Sequence, residues 1–142
     1  MTFDRYPVLD AILRLGLSFL LVLPLAWERE QRSRSGGLRT YALLSMTVSG
    51  FLLLSQRTAA GPSEQADALY GVLFGLGLVC SGAILRSREH VRGLSTAVGL
   101  WVSGAIGAGV AYGNVALSAA VSLLSVVAIW APSLGSLKKE KA

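Results

Sequence analysis

The sequence predicts an all-α integral membrane protein, a bundle of about five transmembrane helices. Of its 142 residues, 53% are hydrophobic and only 15% are charged, whereas a soluble domain typically has about a quarter charged residues. The apolar residues are gathered into stretches of the length that crosses a bilayer, about 20 residues. Basic residues cluster between alternate stretches, which is typical of a multi-pass membrane protein.

The first three predicted helices are bounded by charged residues. The first apolar stretch is uncharged over residues 15–27, and its helix must also include Asp10 and Arg14. The second and third stretches end at Arg57 and Arg86. The predicted helices cover residues 6–26, 38–56 and 66–86.

The fourth and fifth predicted helices share one long apolar stretch. Residues 93–137 contain no charge, and at about 1.5 Å per residue this is too long for one span. Gly113-Asn114 is a turn signal near its middle. The stretch is therefore divided into helices at 94–112 and 115–132.

Charge bias predicts the orientation of the bundle. Loop 28–39 carries four arginines, loop 86–92 three, and residues 133–142 three lysines, so ten of the 13 basic residues lie on one side. By the positive-inside rule this side is cytoplasmic. The N-terminus is then outside, the C-terminus is inside, and residues 133–142 form a basic cytoplasmic tail of a single domain, 1–142.

Aromatic residues fall mostly near the predicted helix ends, where amphipathic rings prefer to lie. Trp101 differs, since it lies in the middle of its helix. The aromatic residues near helix ends are Tyr6, Trp27, Tyr41, Tyr70, Tyr112 and Trp130.

A short similarity between two segments predicts a parallel repeat of two hairpins. Gly37-Leu38-Arg39-Thr40 opens the second helix, and Gly93-Leu94-Ser95-Thr96 opens the fourth. Both segments follow a basic loop, so the hairpins share one orientation and the repeat axis lies along the membrane normal. Alternatively, Gly-Leu-x-Thr is simply a common helix entry.

Stripes of small residues predict close helix packing, which in lipid depends on such residues. The fourth helix has Gly99, Ser103 and Gly107 at four-residue spacing, and the third has Gly71, Gly75 and Gly82 on a similar line. Ser118, Ser122 and Ser125 add a polar stripe that could hydrogen-bond to a neighbouring helix. The alternative function for these stripes is the lining of a pore.

Arg14 is a candidate functional residue because ionisable groups inside membrane helices are costly and are usually paired or functional. Asp10 lies four residues earlier on the same face. One interpretation is a local ion pair near the outer interface. The other is that Arg14 faces the bundle interior and has a functional partner there.

The amino ends of the second and fourth helices form a second candidate site. Helix N-termini offer free N–H groups and a positive dipole end. Arg39 and Thr40, together with Arg92 and Thr96, are therefore a candidate cytoplasmic anion site. The alternative is that these arginines only set the topology or contact anionic lipid headgroups.

Motifs for enzymatic chemistry are absent from the sequence, so we expect no catalytic activity, no cofactor, no metal site and no nucleic-acid partner. His90 and Cys80 are single residues of their kind. A Mg²⁺ pathway would need carboxylate or carbonyl oxygens near the membrane midplane, and no predicted span has an acidic residue there.

Seven short motifs follow one another along nearly the whole chain. They are Leu13-Arg14-Leu15, Trp27-Glu28-Arg29-Glu30, Gly37-Leu38-Arg39-Thr40, Gly75-Leu76-Gly77, Gly82-Ala83-Ile84-Leu85-Arg86, Val91-Arg92-Gly93-Leu94-Ser95-Thr96-Ala97 and Leu100-Trp101-Val102-Ser103-Gly104-Ala105-Ile106-Gly107. In this order they resemble the N-terminal membrane domain of the MgtC/SapB family. Tyr41 departs from the pattern, because histidine is common there in the family.

The resemblance implies a multi-pass protein of the bacterial inner membrane. It further implies a link to growth under magnesium limitation, to virulence through survival inside macrophages, and to inhibition of the proton-translocating ATP synthase. Members are generally thought not to transport Mg²⁺ themselves, and many carry a further cytoplasmic domain.

We therefore expect a non-catalytic regulator that contacts another membrane protein or forms a homo-oligomer in the lipid bilayer. One alternative is a small transporter or channel formed by an oligomer. Another is a structural accessory subunit of a larger membrane complex. The candidate functional residues are Arg14, Glu28, Glu30, Arg39, Thr40, Arg92, Thr96 and Trp101.

Overall fold

The protein forms five α-helices and one very short hairpin in a computed structural model that describes residues 7–32, 37–59, 61–86 and 91–139. Tyr6 and loop arginines such as Arg34 lie outside these ranges. The elements are α1 (Pro7–Arg32), α2 (Leu38–Thr58), α3 (Pro62–Ala83), β1 (Leu85–Arg86), β2 (Val91–Arg92), α4 (Leu94–Ala111) and α5 (Val115–Lys139).

The helices confirm the predicted all-α class, but several boundaries differ from the predicted ones. α1 continues to Arg32 rather than residue 26, since Glu, Gln and Arg are good helix formers even outside an apolar stretch. α3 begins at Pro62, because proline is favoured in the first turn of a helix. α5 continues to Lys139, so the predicted tail at 133–142 begins as helix.

The predicted end of the third helix at residue 86 was wrong. α3 ends at Ala83, and Leu85–Arg86 pairs antiparallel with Val91–Arg92. The hairpin leads into α4 through Gly93, whose φ is +87°. A Cβ at Gly93 would also overlap the carbonyl of Ala83, so both backbone conformation and space require glycine here.

α4 is the central helix of the bundle. It packs against each of the other four helices, whereas in the described part of the chain α3 packs extensively against α2 and α4 alone. Around α4 the order is α3, α2, α1 and α5, and α3 and α5 make at most a weak contact in the described part of the chain. The ring of helices around α4 is therefore open between α3 and α5.

α2 and α4 lie side by side and run parallel. Tyr41 Oη donates to the carbonyl of Thr96 at 3.2 Å, and Gln56 Nε2 donates to the carbonyl of Ala111 at 3.0 Å. In each pair the donor and acceptor residues are 55 positions apart in the sequence. The parallel packing matches the shared orientation of the predicted repeat, while the repeat itself stays a prediction.

Serine hydroxyls connect the helices through backbone carbonyls. Ser118 Oγ donates to Ile106 on α4 at 3.0 Å, and Ser122 Oγ donates to Leu21 on α1 at 2.6 Å. These bonds confirm that α5 presents a polar stripe to its neighbours. Ser125 instead donates to a carbonyl of its own helix.

Within the described residues, four helices are long and apolar enough to cross a membrane: α1 over Val8–Gln31, α2, α3 and α4. In α5 the part whose side chains are described, Val115–Trp130, is apolar and shorter. Large apolar side chains such as Phe74 and Leu124 face outward from the bundle. Since a bilayer solvates such side chains, this distribution indicates an integral membrane protein.

Candidate functional site

A buried polar cluster lies at the predicted cytoplasmic end of the bundle, where α1 ends and α2 and α4 begin. We call it the buried polar cluster after its three buried members, Glu28, Arg29 and Tyr41. It also includes Ser95, which is exposed, and Thr96, which is half-buried. Glu28 and Arg29 are both buried, and Arg29 Nε lies 3.4 Å from Glu28 Oε2. Arg29 Nη1 donates to Ser95 Oγ in the first turn of α4. The extension of α1 beyond its apolar stretch is what carries these two charged residues over α4.

Tyr41 is the largest fully buried side chain of the bundle, at 0% exposure. Tyr41 lies near the start of α2, as the sequence predicts, but its ring faces the bundle interior rather than lipid. The ring packs against α4, where a Cβ at Gly99 would lie 2.8 Å from the Tyr41 ring. The glycine makes room for the ring, and the Thr96 carbonyl accepts a hydrogen bond from the Tyr41 hydroxyl. Thr96 thus joins the cluster through its backbone oxygen.

A surface groove lies beside the cluster, between the end of α1 and the start of α2. Its volume is about 640 Å³, and its lining includes Trp27, Glu30, Gln31, Arg39 and Thr40. These side chains are exposed. These lining side chains are therefore accessible to a ligand from outside the bundle.

The N-terminus of α2 differs from the expected anion site. Glu30 Oε2 accepts the backbone N–H of Leu38 at 2.6 Å, so a carboxylate of the chain itself lies where an external anion was expected. A carboxylate at this position is favoured by the helix dipole. The side chain of Arg92 lies outside the described residues, and its predicted part in the site stays a prediction.

Arg14 lies at the opposite end of the bundle, far along α1 from the buried polar cluster. Its Nε lies 3.0 Å from Asp10 Oδ2, and its Nη1 donates to the carbonyl of Ala111 at 3.0 Å. Gln56 donates to the same carbonyl. Arg14 therefore combines the local ion pair with a contact to the C-terminal end of α4, whose dipole favours a positive charge.

The predicted packing residues fall into two groups. Ser103 and Gly107 of α4 are buried, and a Cβ at Gly107 would overlap the backbone carbonyl of Ser45 on α2. In contrast, no neighbouring atom of the described structure lies within 4 Å of a Cβ built at Gly71, Gly75 or Gly82. Against the part of the chain that the structure describes, α3 thus makes no close contact through these three glycines.

Gly71 and Gly75 instead line an apolar groove of about 530 Å³ between α2 and α3. Trp101 lies on the face of α4 that remains open between α3 and α5, and it is 43% exposed. Val98 shares this face and is 57% exposed. The open face of α4, defined by Val98, Trp101 and Ala105, is a further candidate surface.

The sequence did not predict that Arg29, Tyr41 and Gln56 form hydrogen bonds to α4. In the sequence, Arg29 indicates topology and belongs to a motif, and Tyr41 indicates an interfacial ring; neither pattern predicts a buried contact with α4. The available signal was spacing: Tyr41 and Gln56 lie on one face of α2 because 15 residues make about four helical turns. Among the described residues, no group of three His, Cys, Asp or Glu side chains is placed to hold a metal ion.

Together, the outward apolar surface, the spans and the position of the described charged residues towards the bundle ends define a multi-pass helical membrane protein. The sequence profile of the MgtC family matches residues 15–134. The chain therefore belongs to the MgtC family, as its motifs indicated.

Curated relatives agree with this family. The chain is 36% identical over 104 residues to Protein MgtC of Salmonella typhimurium, covering 73% of this chain and 44% of that protein. It is 32% identical over 112 residues to Protein MgtC of Brucella abortus, covering 79% and 46%. An uncharacterized protein of Synechocystis, slr0014, is 35% identical over 98 residues, covering 69% and 42%.

The matched region thus spans less than half the length of these relatives. No solved structure matches the chain.

Proposed function

We propose that this chain is a non-catalytic regulator of the bacterial inner membrane that acts by contacting another membrane protein through the open face of α4. The observation that carries the proposal is the exposure of Trp101 on the central helix. Tryptophan prefers the membrane interface, yet Trp101 lies mid-helix. A partner that covers this face would explain the position.

The chemistry of the indole supports a protein partner rather than lipid tails. A buried tryptophan N–H usually finds an acceptor, and lipid tails offer none. In the described part of the chain, no hydrogen bond from the Trp101 indole is present. Tryptophan is also enriched among residues that dominate binding energy at interfaces. A polar acceptor on the partner would satisfy the indole N–H.

Photo-crosslinking in cells tests the contact. A photoreactive residue is placed at Val98, on the open face, and as a control at Leu20, an outward residue of α1. We expect one discrete adduct from position 98 and none from position 20. Equal labelling by lipid at both positions, without a protein adduct, would contradict the proposal.

A growth assay tests the physiological role. In a strain lacking its own MgtC-family protein, the chain is expected to restore growth at low Mg²⁺. Trp101→Ala should abolish this effect at unchanged membrane levels, whereas Phe74→Ala, an exposed aromatic of α3, should retain it. Full activity of Trp101→Ala would exclude the open face as the functional contact.

A second candidate, a small transporter or channel formed by an oligomer, is favoured by α3. Among the described residues, nothing packs closely on the glycines of α3, so they offer another copy a close approach. Ion-selective flux through the purified protein in liposomes, together with an adduct between two copies, would support this candidate. Stoichiometric co-purification with a larger complex would instead support an accessory subunit.

A further inference from the structure

The groove between the end of α1 and the start of α2 has the properties of a lipid headgroup site. It lies where two apolar helices, Val8–Gln31 and Leu38–Thr58, reach their ends on the same side. In a bilayer crossed by these helices, such ends lie at the depth at which headgroups meet the hydrocarbon. The exposed ring of Trp27 lines the groove, and tryptophan is enriched at this level of a bilayer.

In the described lining of the groove, two side chains carry opposite charges. Arg39 and Glu30 are both exposed, and among the described residues they make no ion pair with each other. A guanidinium forms strong, often bidentate hydrogen bonds with phosphate. A carboxylate accepts hydrogen bonds from an ammonium group. The groove therefore presents complementary partners for both halves of a zwitterion.

The structure fixes the position of the carboxylate. Glu30 Oε2 accepts the Leu38 N–H, and a Cβ at Gly37 would overlap that oxygen. Glycine at position 37 thus leaves room for Glu30 to lie against the start of α2. Because the carboxylate is held in the groove, it repels a headgroup that carries only negative charge.

We propose that this groove binds a phospholipid with a phosphoethanolamine headgroup. Arg39 contacts the phosphate, Glu30 accepts from the ammonium, and Trp27 packs at the junction of headgroup and acyl chain. Its volume of about 640 Å³ lies in the usual range for small-molecule sites, about 300–1,000 Å³. This site does not depend on the proposed protein contact, which uses the other face of the bundle.

Native mass spectrometry of the delipidated protein tests the site. Short-chain phosphatidylethanolamine, phosphatidylglycerol and phosphatidylcholine with the same acyl chains are titrated in turn. We expect phosphatidylethanolamine to bind about tenfold more tightly than phosphatidylglycerol, as one additional charge-assisted hydrogen bond would give. Phosphatidylcholine should also bind weakly, because its trimethylated ammonium has no N–H to donate.

Two variants separate the roles of the charges. Arg39→Gln should weaken binding of all three lipids. Glu30→Gln keeps a carbonyl oxygen that accepts the Leu38 N–H, so the fold is retained, but it should remove the preference for phosphatidylethanolamine over phosphatidylglycerol. Arg57→Gln, at the other end of α2, is the matched control and should change neither.

Three results would overturn the proposal. One is tighter binding of phosphatidylglycerol by the unmodified chain, which would indicate a purely anionic ligand. Another is an equal loss of binding in Arg39→Gln and Arg57→Gln, which would indicate a general effect of charge. The third is the absence of any headgroup preference in the unmodified chain.

Discussion

Two glycines of the chain, Gly107 and Gly75, have opposite surroundings although both belong to stripes of small residues. At Gly107 the backbone of α2 lies in contact, with the Ser45 carbonyl where a Cβ would be. At Gly75 the corresponding space is open within the described structure. Spacing alone does not separate the two, because both fall on a four-residue repeat.

Gly107→Ala should therefore destabilise the protein, whereas Gly75→Ala should not. Overpacking typically costs about 1–3 kcal/mol, and a backbone carbonyl has little freedom to move aside. At Gly75 there is no steric overlap to offset the higher helix propensity of alanine, which stabilises a helix by up to about 1 kcal/mol. Unfolding of both variants in mild detergent, followed by circular dichroism, measures the difference.

Gly99→Ala is an intermediate case that checks the same interpretation, since the neighbour there is the Tyr41 ring at 2.8 Å. A side chain can rotate or shift where a backbone cannot. Its loss of stability should fall between those of the other two variants. Equal stability of all three would contradict close packing of α2 on α4.

At the scale of the helices, hydrogen bonds from serine side chains link α5 to its neighbours. Ser122 and Ser125 lie three residues apart on α5, but only Ser122 bonds to another helix, at Leu21 of α1. Ser118 bonds to α4. α5 is thus joined to two neighbours by groups that the sequence marks only as a polar stripe.

Ser122→Ala should weaken the attachment of α5, and Ser125→Ala should have little effect. Hydrogen bonds between membrane helices contribute about 0.6 kcal/mol on average, so the expected loss is of that order. Unfolding in mixed detergent micelles, titrated with sodium dodecyl sulfate, measures it. A larger loss in Ser125→Ala than in Ser122→Ala would contradict the assignment of partners.

The limits of the helices were partly predictable. Charges and the Gly113-Asn114 turn located both ends of α4 within one residue. α1 was predicted too short, because a span was equated with its apolar stretch, whereas helix-forming Glu28 and Arg29 continue it. The end of α3 was predicted too late, because backbone pairing of Leu85 with Arg92 has no signal in apolar composition.

At the scale of the whole molecule, the charge bias predicts an N-terminus outside and a C-terminus inside. The order of helices in the structure requires that α2 and α4 start at the same end, where Tyr41 contacts Thr96. The structure thus relates the two ends of the bundle to each other. The basic loops predict that the end where α2 and α4 start faces the cytoplasm.

Labelling with a membrane-impermeant maleimide in intact cells tests this orientation. Cys80 is buried and is first replaced by alanine. A cysteine at Asn114, exposed in the turn between α4 and α5, should react from outside. A cysteine at Gln31, exposed at the end of α1, should react only after the membrane is opened. The reverse pattern would invert the topology.

The sequence by itself determined the membrane class, the number of helices and the family, because these depend on composition, apolar length and motif order along the chain. Only the tertiary structure decided that α4 is central. It also showed that Glu28 and Arg29 are buried over α4, and that Glu30 lies at the start of α2. The physical reason is that lipid solvates apolar side chains as well as the interior of the bundle does. The pattern of apolar residues along a membrane helix therefore cannot show which face packs against the other helices.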